Sequence, residues 1–349
     1  MSKSTGPVDV TSGGHAVGGF VPRKGLRGGH LQTLAGNFLP RTDNLPKSEE
    51  RLFQVEDEVQ VMCHCHWQTD RANRLTVMLV HGLEGSSDSQ YVIGTGNKAW
   101  AKGWNVVRMN IRNCGGTEKL GPTLYHSGLS NDIRRVVEAL LRDDNLQHIA
   151  LVGYSMGGNQ VLKCVGEWGS EAPRSLVAAA GISPACDLSI SADAIHRLQN
   201  RIYEWKFLFG LRARMLRKAA LFPDRYDRDA LAAALRRVRS IRDFDELITA
   251  QYMGFEDAED YYTQASSSRV VDRIAVPTLV IHSQDDPFII MSPETEAKLE
   301  ANPHITYFRT EHGGHCAFLA EANGYDGRWA ESQIVDFFER ALREHRREQ

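Results

Sequence analysis

Short apolar runs recur along this chain, separated by longer stretches in which apolar residues return every three or four positions. Residues 75–80, 104–110, 149–152, 176–182, 276–283 and 305–308 have the length and composition of buried strands. Upstream, 53–55 and 59–67 alternate apolar and polar positions as a hairpin would. Helical spacing fills the gaps at 91–101, 127–142 and 329–343. In the second of these, Ile133, Val136, Val137, Leu140 and Leu141 share one face. Strands alternating with helices predict a mostly parallel sheet covered on both faces. Ligands in such sheets bind beyond the carboxyl ends of the strands. The rhythm breaks once: 188–270 contains no strand pattern, only Arg-, Ala-, Leu- and aromatic-rich helical sequence. The expected organisation is a flexible lead-in (1–20), a core (21–187), a helical cap inserted between two strands (188–270) and the remainder of the core (271–349).

Composition narrows the classes. With 349 residues, 42% of them hydrophobic, the chain buries a large core, and a net charge of −3 gives no reason to expect nucleic acid as a partner. Six scattered cysteines read as reduced thiols of a cytosol-like compartment. No apolar run reaches bilayer length, and 1–20 lacks the apolar middle of a secretion signal. The expectation is therefore a soluble, cytoplasmic protein. One region departs from the average. Arg197, Arg201, Arg212, Arg214, Arg217 and Lys218, continuing to Arg242, offer charge for an anionic head group or a lipid surface. Asp224, Asp227 and Asp229 are expected to balance them as a solvated helix face, leaving at most transient lipid contact. Trp205, Phe207, Leu208, Phe209, Leu211 and Met215 are apolar enough to line a pocket, although most read as cap core. Cys63-His64-Cys65-His66 invites a metal, but alternation along a strand leaves only one like pair per face, short of a tetrahedral set.

Chemistry concentrates around Gly153-Tyr154-Ser155-Met156-Gly157, where a buried strand runs straight into a helix. That is the form of a nucleophile elbow, with glycines two positions either side because strand and helix approach too closely for side chains. A serine hydroxyl needs a base, and the base an orienting acid. After a late strand comes Asp285-Asp286-Pro287; Asp286, pinned by the proline, is preferred over Asp285. After the last strand comes His312-Gly313-Gly314-His315, and His315, freed by two glycines, is preferred over His312. Oxyanion donors are expected from the backbone N–H groups of Met156 and of Leu83, in the loop His81-Gly82-Leu83-Glu84-Gly85. His81 reads as a residue that holds this loop.

Together these residues resemble the α/β-hydrolase superfamily. The likeness narrows to the YheT-like hydrolases through Gly28-Gly29-His30-Leu31-Gln32-Thr33, His81 to Ser86, Tyr125-His126-Ser127-Gly128, Gly153 to Asn159, and a spaced set that includes Asp245, Gly254-Phe255, Asp260-Tyr261-Tyr262 and Asp285-Asp286. It spans about residues 20 to 340. It departs at Arg112-Asn113-Cys114, where relatives usually have Arg-Gly-Cys, and at Ala317, where a glycine is common. The resemblance implies an α/β-hydrolase fold, the triad Ser155, Asp286 and His315, and cleavage of carboxylic esters of small-molecule or lipid type without metal or organic cofactor. Acyl transfer or thioester cleavage would use the same residues, and a non-catalytic ligand-binding role is the alternative of another class. Epoxide hydrolase and dehalogenase chemistry needs a carboxylate at the elbow, where Ser155 stands.

Overall fold

The computed structural model describes residues 19–348. Eight strands form one sheet in the order β1-β2-β4-β3-β5-β6-β7-β8. They are β1 (Glu49–Glu56), β2 (Val59–His66), β3 (Leu75–Val80), β4 (Asn105–Met109), β5 (His148–Tyr154), β6 (Leu176–Ile182), β7 (Thr278–Ser283) and β8 (Ile305–Thr310). β1 and β2 are the antiparallel hairpin, β2 is antiparallel to β4, and β3 to β8 run parallel. β3, β5, β6 and β7 are buried along their whole length, which is why they read as continuous apolar runs rather than alternating ones.

Helices cover both faces: α1 (Gly29–Phe38), α2 (Gln90–Ala101), α3 (Ser130–Asp143), α4 (Met156–Trp168), α11 (Pro293–Ala301) and α12 (Trp329–Glu348). Met78 and Val80 pack with Ile133, Val136 and Val161 of α3 and α4 on one side. Leu75, Val77 and Leu79 pack with Val92, Ile334 and Phe338 of α2 and α12 on the other. Between β6 and β7 the chain is helical: α5 (Leu188–Ile195), α6 (Arg201–Leu221), α7 (Arg228–Arg237), α8 (Ile241–Phe244), a π-helical turn (Asp245–Thr249), α9 (Ala250–Met253) and α10 (Ala258–Ala265).

Three differences from the sequence reading stand out. Residues 1–18 of the expected lead-in lie outside the described residues, but Phe20 at its end packs its ring against Phe318 and Trp329 (5.8 and 5.4 Å). Trp205 and Phe209, read as cap core or pocket, are 69% and 66% exposed. The arginines of the helical stretch do not pair with Asp224, Asp227 or Asp229. Arg225 pairs with Glu58, Arg217 with Glu118, and Arg242 with Asp193 and Glu259, while Asp227 caps α7. Among the described residues, no helix is long and apolar enough to cross a membrane.

Candidate active site

Chain order along the sheet creates a switch point. β3 leads outward to β4, and the chain then returns to β5 on the other side of β3. The loops leaving β3 and β5 therefore diverge, opening a crevice at the carboxyl ends of the strands. Ser155 sits in this crevice, immediately after β5, at φ 55°, ψ −118°. A non-glycine residue held there carries strain of about 1–3 kcal/mol, kept only where the surroundings over-determine it. They do. A Cβ at Gly153 would collide with the Gly157 carbonyl, and one at Gly157 with the carbonyls of Val80 and His81. Ser155 N–H donates to the Ile182 carbonyl (2.9 Å), and the Ser155 carbonyl accepts from Asn159 (3.0 Å) and Ala185 (3.2 Å). The Asn159 amide is itself buried, donating to the carbonyls of Ser127 and Ala265 (both 2.9 Å) and accepting from Ser267 N–H (2.7 Å).

The loop after β3 passes directly beside this turn; a Cβ on Gly82 would lie 3.0 Å from that of Ser155. His81 is fully buried. Its Nδ1 donates to the Gly82 carbonyl (2.8 Å) and its Nε2 accepts from Ile111 N–H (3.1 Å). Burial lowers its pKa to about 4, so the ring stays neutral and serves as a brace. Tyr91 OH accepts from Gly82 N–H (3.0 Å) while its ring stacks on Tyr154 (4.3 Å). Glu84, at φ 56°, accepts from Tyr125 OH (2.7 Å) and from Arg214 Nε of α6 (3.1 Å). The N–H groups of Leu83 and Met156 donate to no other described residue, and both residues line the same cavity as Ser155.

The turn after β7 supplies Asp286. Its Oδ2 lies 2.7 Å from His315 Nδ1, and its Oδ1 accepts from Ile289 N–H (2.9 Å) and Phe288 N–H (3.2 Å). Asp285 points elsewhere, accepting from Gly314 N–H (2.8 Å) and meeting His312 Nδ1 (3.2 Å). Burial pushes the Asp286 carboxyl up, but His315 and the backbone donors outweigh it and hold it below the usual carboxylate range. Burial likewise lowers His315, and the facing carboxylate raises it above the usual imidazole range. The structure thus brings Asp286 to His315 and seats the ring 4.4 Å from that of Phe288, which lines the cavity with Ser155. Cys316 Sγ and Ser155 N–H converge on one acceptor, the Ile182 carbonyl, at 3.7 and 2.9 Å. It does not join Ser155 to His315 by a hydrogen bond: Nε2 faces the Cys316 thiol at 3.7 Å. Such contacts are often long without a bound substrate and tighten around one.

Two residues of the Gly28 to Thr33 motif, to which sequence reasoning gave no role, hold the histidine loop. Thr33 Oγ1 of α1 accepts from His315 N–H (2.8 Å), and Gln32 exchanges hydrogen bonds with Leu319 N–H (2.8 Å) and carbonyl (3.0 Å). A Cβ on Gly29 would overlap the Asp285 carbonyl. The Gly-Gly-His-Leu-Gln-Thr motif is therefore the seat of the acid and histidine loops. Both departures from the family pattern are absorbed locally. Asn113 takes the left-handed backbone (φ 64°) that a glycine would occupy. Ala317 finds room because the nearby helix carries Gly36, where a Cβ would come within 2.6 Å.

Above Ser155 lies a cavity roofed by the helical stretch, with Leu188, Ile195, Phe207, Leu211, Phe244 and Ile289 in its wall. One carboxyl interrupts this apolar lining. Asp245, on the π-helical turn, accepts from Thr249 Oγ1 (2.7 Å) and Tyr262 OH (2.8 Å), and burial raises its pKa to about 6. The Tyr125 to Gly128 motif and the Tyr261-Tyr262 pair meet here: Tyr261 OH accepts from Ser127 N–H (3.0 Å), and His126 sets its edge against the Tyr261 ring.

Fold and crevice are those of an α/β hydrolase, and the comparisons agree. A family model described as alpha/beta hydrolase fold matches residues 76–322, and the chain belongs to that family. Within it the chain is YheT-like. It is 33% identical over 322 residues, covering 91% of this chain and 92% of the other, to YheT of Escherichia coli (strain K12), whose name groups it with the esterases. It is 27% identical to the monoacylglycerol lipase of Saccharomyces cerevisiae (strain ATCC 204508 / S288c), covering 75% of this chain and 58% of that one. Among solved structures it resembles the Pyrococcus furiosus esterase Pf2001 (TM-score 0.54, 15% identity, 86% of this chain and 98% of that one), a likeness of fold. The chain is an α/β hydrolase whose relatives include a protein named as an esterase and one named as a lipase.

Proposed function

We propose that this protein cleaves carboxylic esters through an acyl-enzyme on Ser155. The observation that carries the reading is a strained serine and two unengaged N–H groups on one apolar cavity, with the hydrogen-bonded Asp286–His315 pair packed behind its wall against Phe288. In this scheme His315 Nε2 takes the proton of the Ser155 hydroxyl as Oγ attacks the ester carbonyl. The oxyanion is received by the N–H groups of Leu83 and Met156, each of which contributes about 10²–10³ in turnover in comparable sites. Asp286 holds Nδ1, leaving Nε2 as the nitrogen that takes the serine proton when substrate draws the two together, and stabilises the imidazolium that forms. The imidazolium then gives its proton to the departing alcohol. Water, deprotonated by His315, attacks the acyl carbonyl; the imidazolium returns that proton to Ser155 Oγ as the acid is released. The apolar wall favours an aliphatic or aromatic acyl group over a charged one, since burying an unpaired charge there is unfavourable.

A fluorophosphonate probe tests the assignment. Covalent labelling of the full chain, with loss of both labelling and ester hydrolysis in Ser155→Ala, is expected. Labelling that persists in a folded Ser155→Ala chain would place the nucleophile elsewhere and overturn the reading.

A further inference from the structure

Helix α6 is apolar on two opposite sides. Its inner side places Phe207 and Leu211 in the cavity wall and buries Leu208, Met215 and Ala219. An amphipathic surface helix turns its other side polar; this one does not. Ile202, Trp205, Phe209 and Leu216 are between 49% and 77% exposed, and Leu198, one turn before the helix, is 85% exposed. Their spacings of three, four and seven residues put them on a single stripe, running for about 20 Å along the axis at 1.5 Å per residue. Exposed apolar surface of this continuity is rare on a soluble protein and marks a site of contact.

What borders the stripe identifies the partner. Arg201 flanks it on one edge and Lys206 on the other, with Arg197 just ahead, while Arg212 is turned onto the Val238 carbonyl and Arg217 is paired with Glu118. Among the described residues, Arg197, Arg201 and Lys206 have no acidic side chain in ion-pair range. The only acidic residue from 196 to 222 is Glu204. It is buried and engaged by His196 Nδ1 (2.9 Å) and Ile241 N–H (3.0 Å). The outer face of α6 therefore presents apolar groups and positive charge with nothing negative between them. A second copy docking by two-fold symmetry would set these cations against one another. Helices that lie in the plane of a membrane interface combine these features: Trp, Phe and Leu on one face, bordered by Lys and Arg.

We propose that the outer face of α6 is a docking surface for an anionic lipid interface. The same helix would then rest on lipid with one side while its other side roofs the cavity over Ser155, so that an ester leaving the lipid enters next to the nucleophile. The purpose of this arrangement rests on the ester-hydrolase reading; the binding itself does not.

The test is co-sedimentation of the full chain with vesicles of phosphatidylcholine, and of phosphatidylcholine mixed with phosphatidylglycerol, read without turnover. Binding at least about 10-fold tighter to the mixed vesicles is expected, weakening with salt, because basic residues at such a surface are attracted to anionic head groups within a Debye length. The variant Ile202→Ser/Trp205→Ser/Phe209→Ser should lose it by about the same factor, and Arg201→Gln/Lys206→Gln should retain only the weaker, salt-independent part. Both variants should cleave a short water-soluble p-nitrophenyl ester within about 2-fold of the parent, showing that the fold is kept. No preference for the mixed vesicles, or equal binding by the serine variant, would overturn the proposal. So would a dimer, seen by light scattering, that the serine variant abolishes, since the stripe would then belong to a second copy. If vesicles bind and no ester is cleaved, the docking surface stands and the hydrolase reading falls.

Discussion

The loops at the strand ends and the helical stretch above them are built on opposite plans. At the strand ends, Glu84, Ser155, Ser183, Cys316 and Phe318 all hold positive φ without being glycine. Each is tied to a neighbouring loop by short hydrogen bonds, as Cys316 N–H is to Ser183 Oγ (3.0 Å). From 188 to 265 only Gly254 is left-handed, and the helices rest on the sheet through apolar contacts and a few polar anchors such as Arg214 to Glu84 and Lys218 to Asn113. Strain is affordable where many bonds over-determine a position; apolar packing gives way by a rotamer at a time. The first plan suits reacting atoms that must be held within fractions of an ångström. The second suits a wall whose shape selects substrates.

The largest way to break this contrast is to remove one member of the rigid set. Asp286→Asn keeps the volume and one acceptor, but withdraws the charge that raises His315. Turnover should fall by about 10⁴, as it does when a triad acid is neutralised elsewhere. The pH profile gives the more specific reading. A base must be neutral, so kcat/KM of the parent should rise through the raised His315 titration, above the ordinary imidazole value of about 6.5. In Asp286→Asn that limb should move to lower pH. A limb that stays put would mean that another group sets it.

This division also explains what the sequence made legible. Buried strands such as β5 and β6 announce themselves because both faces are covered, and the turn at Ser155 because only glycine fits at 153 and 157. Asp286 was separable from Asp285 by the proline that fixes its turn. Helix α1 gave no such signal. It is held by Gln32 and Thr33 hydrogen bonds rather than by an apolar stripe, and periodicity does not register a helix docked that way. Trp205 and Phe209 failed in the opposite sense. On a helix apolar on two sides, hydrophobic pattern does not tell which side faces water.

A smaller effect should come from the joint between the two regions. Arg214 reaches from α6 to Glu84, the residue after Leu83, the proposed oxyanion donor, and donates as well to the Asn113 carbonyl. Arg214→Met keeps the stem and deletes the fork, leaving Glu84 half-paired beside Tyr125. Because His81 and Tyr91 still brace the loop, the Leu83 donor should shift rather than vanish. We expect kcat to fall about 10-fold, below the 10²–10³ of a lost donor, with KM for a short ester nearly unchanged. A rise in KM at constant kcat would instead mean that Arg214 shapes the pocket and leaves the oxyanion loop alone.

The finest adjustment lies in the wall itself. Buried Asp245 holds its carboxyl at about 6, against about 3.9 in an unfolded chain. Between these values the native protein keeps a proton that the unfolded chain has released. The group's contribution is therefore fully present below about pH 4 and is lost as pH rises through 6, a change of about 3 kcal/mol at most. Asp245→Asn cannot ionise; its oxygen accepts from one of the Thr249 and Tyr262 hydroxyls, and the other hydroxyl must turn to accept from the amide NH2. Its thermal midpoint relative to the parent should therefore improve from pH 4 to pH 7, by a few degrees for a chain of this size. Other titrating groups act equally in both proteins and drop out of the difference. A difference that does not change with pH would show that the carboxylate is stabilised where it stands, and that this part of the wall is as tightly bonded as the strand ends below it.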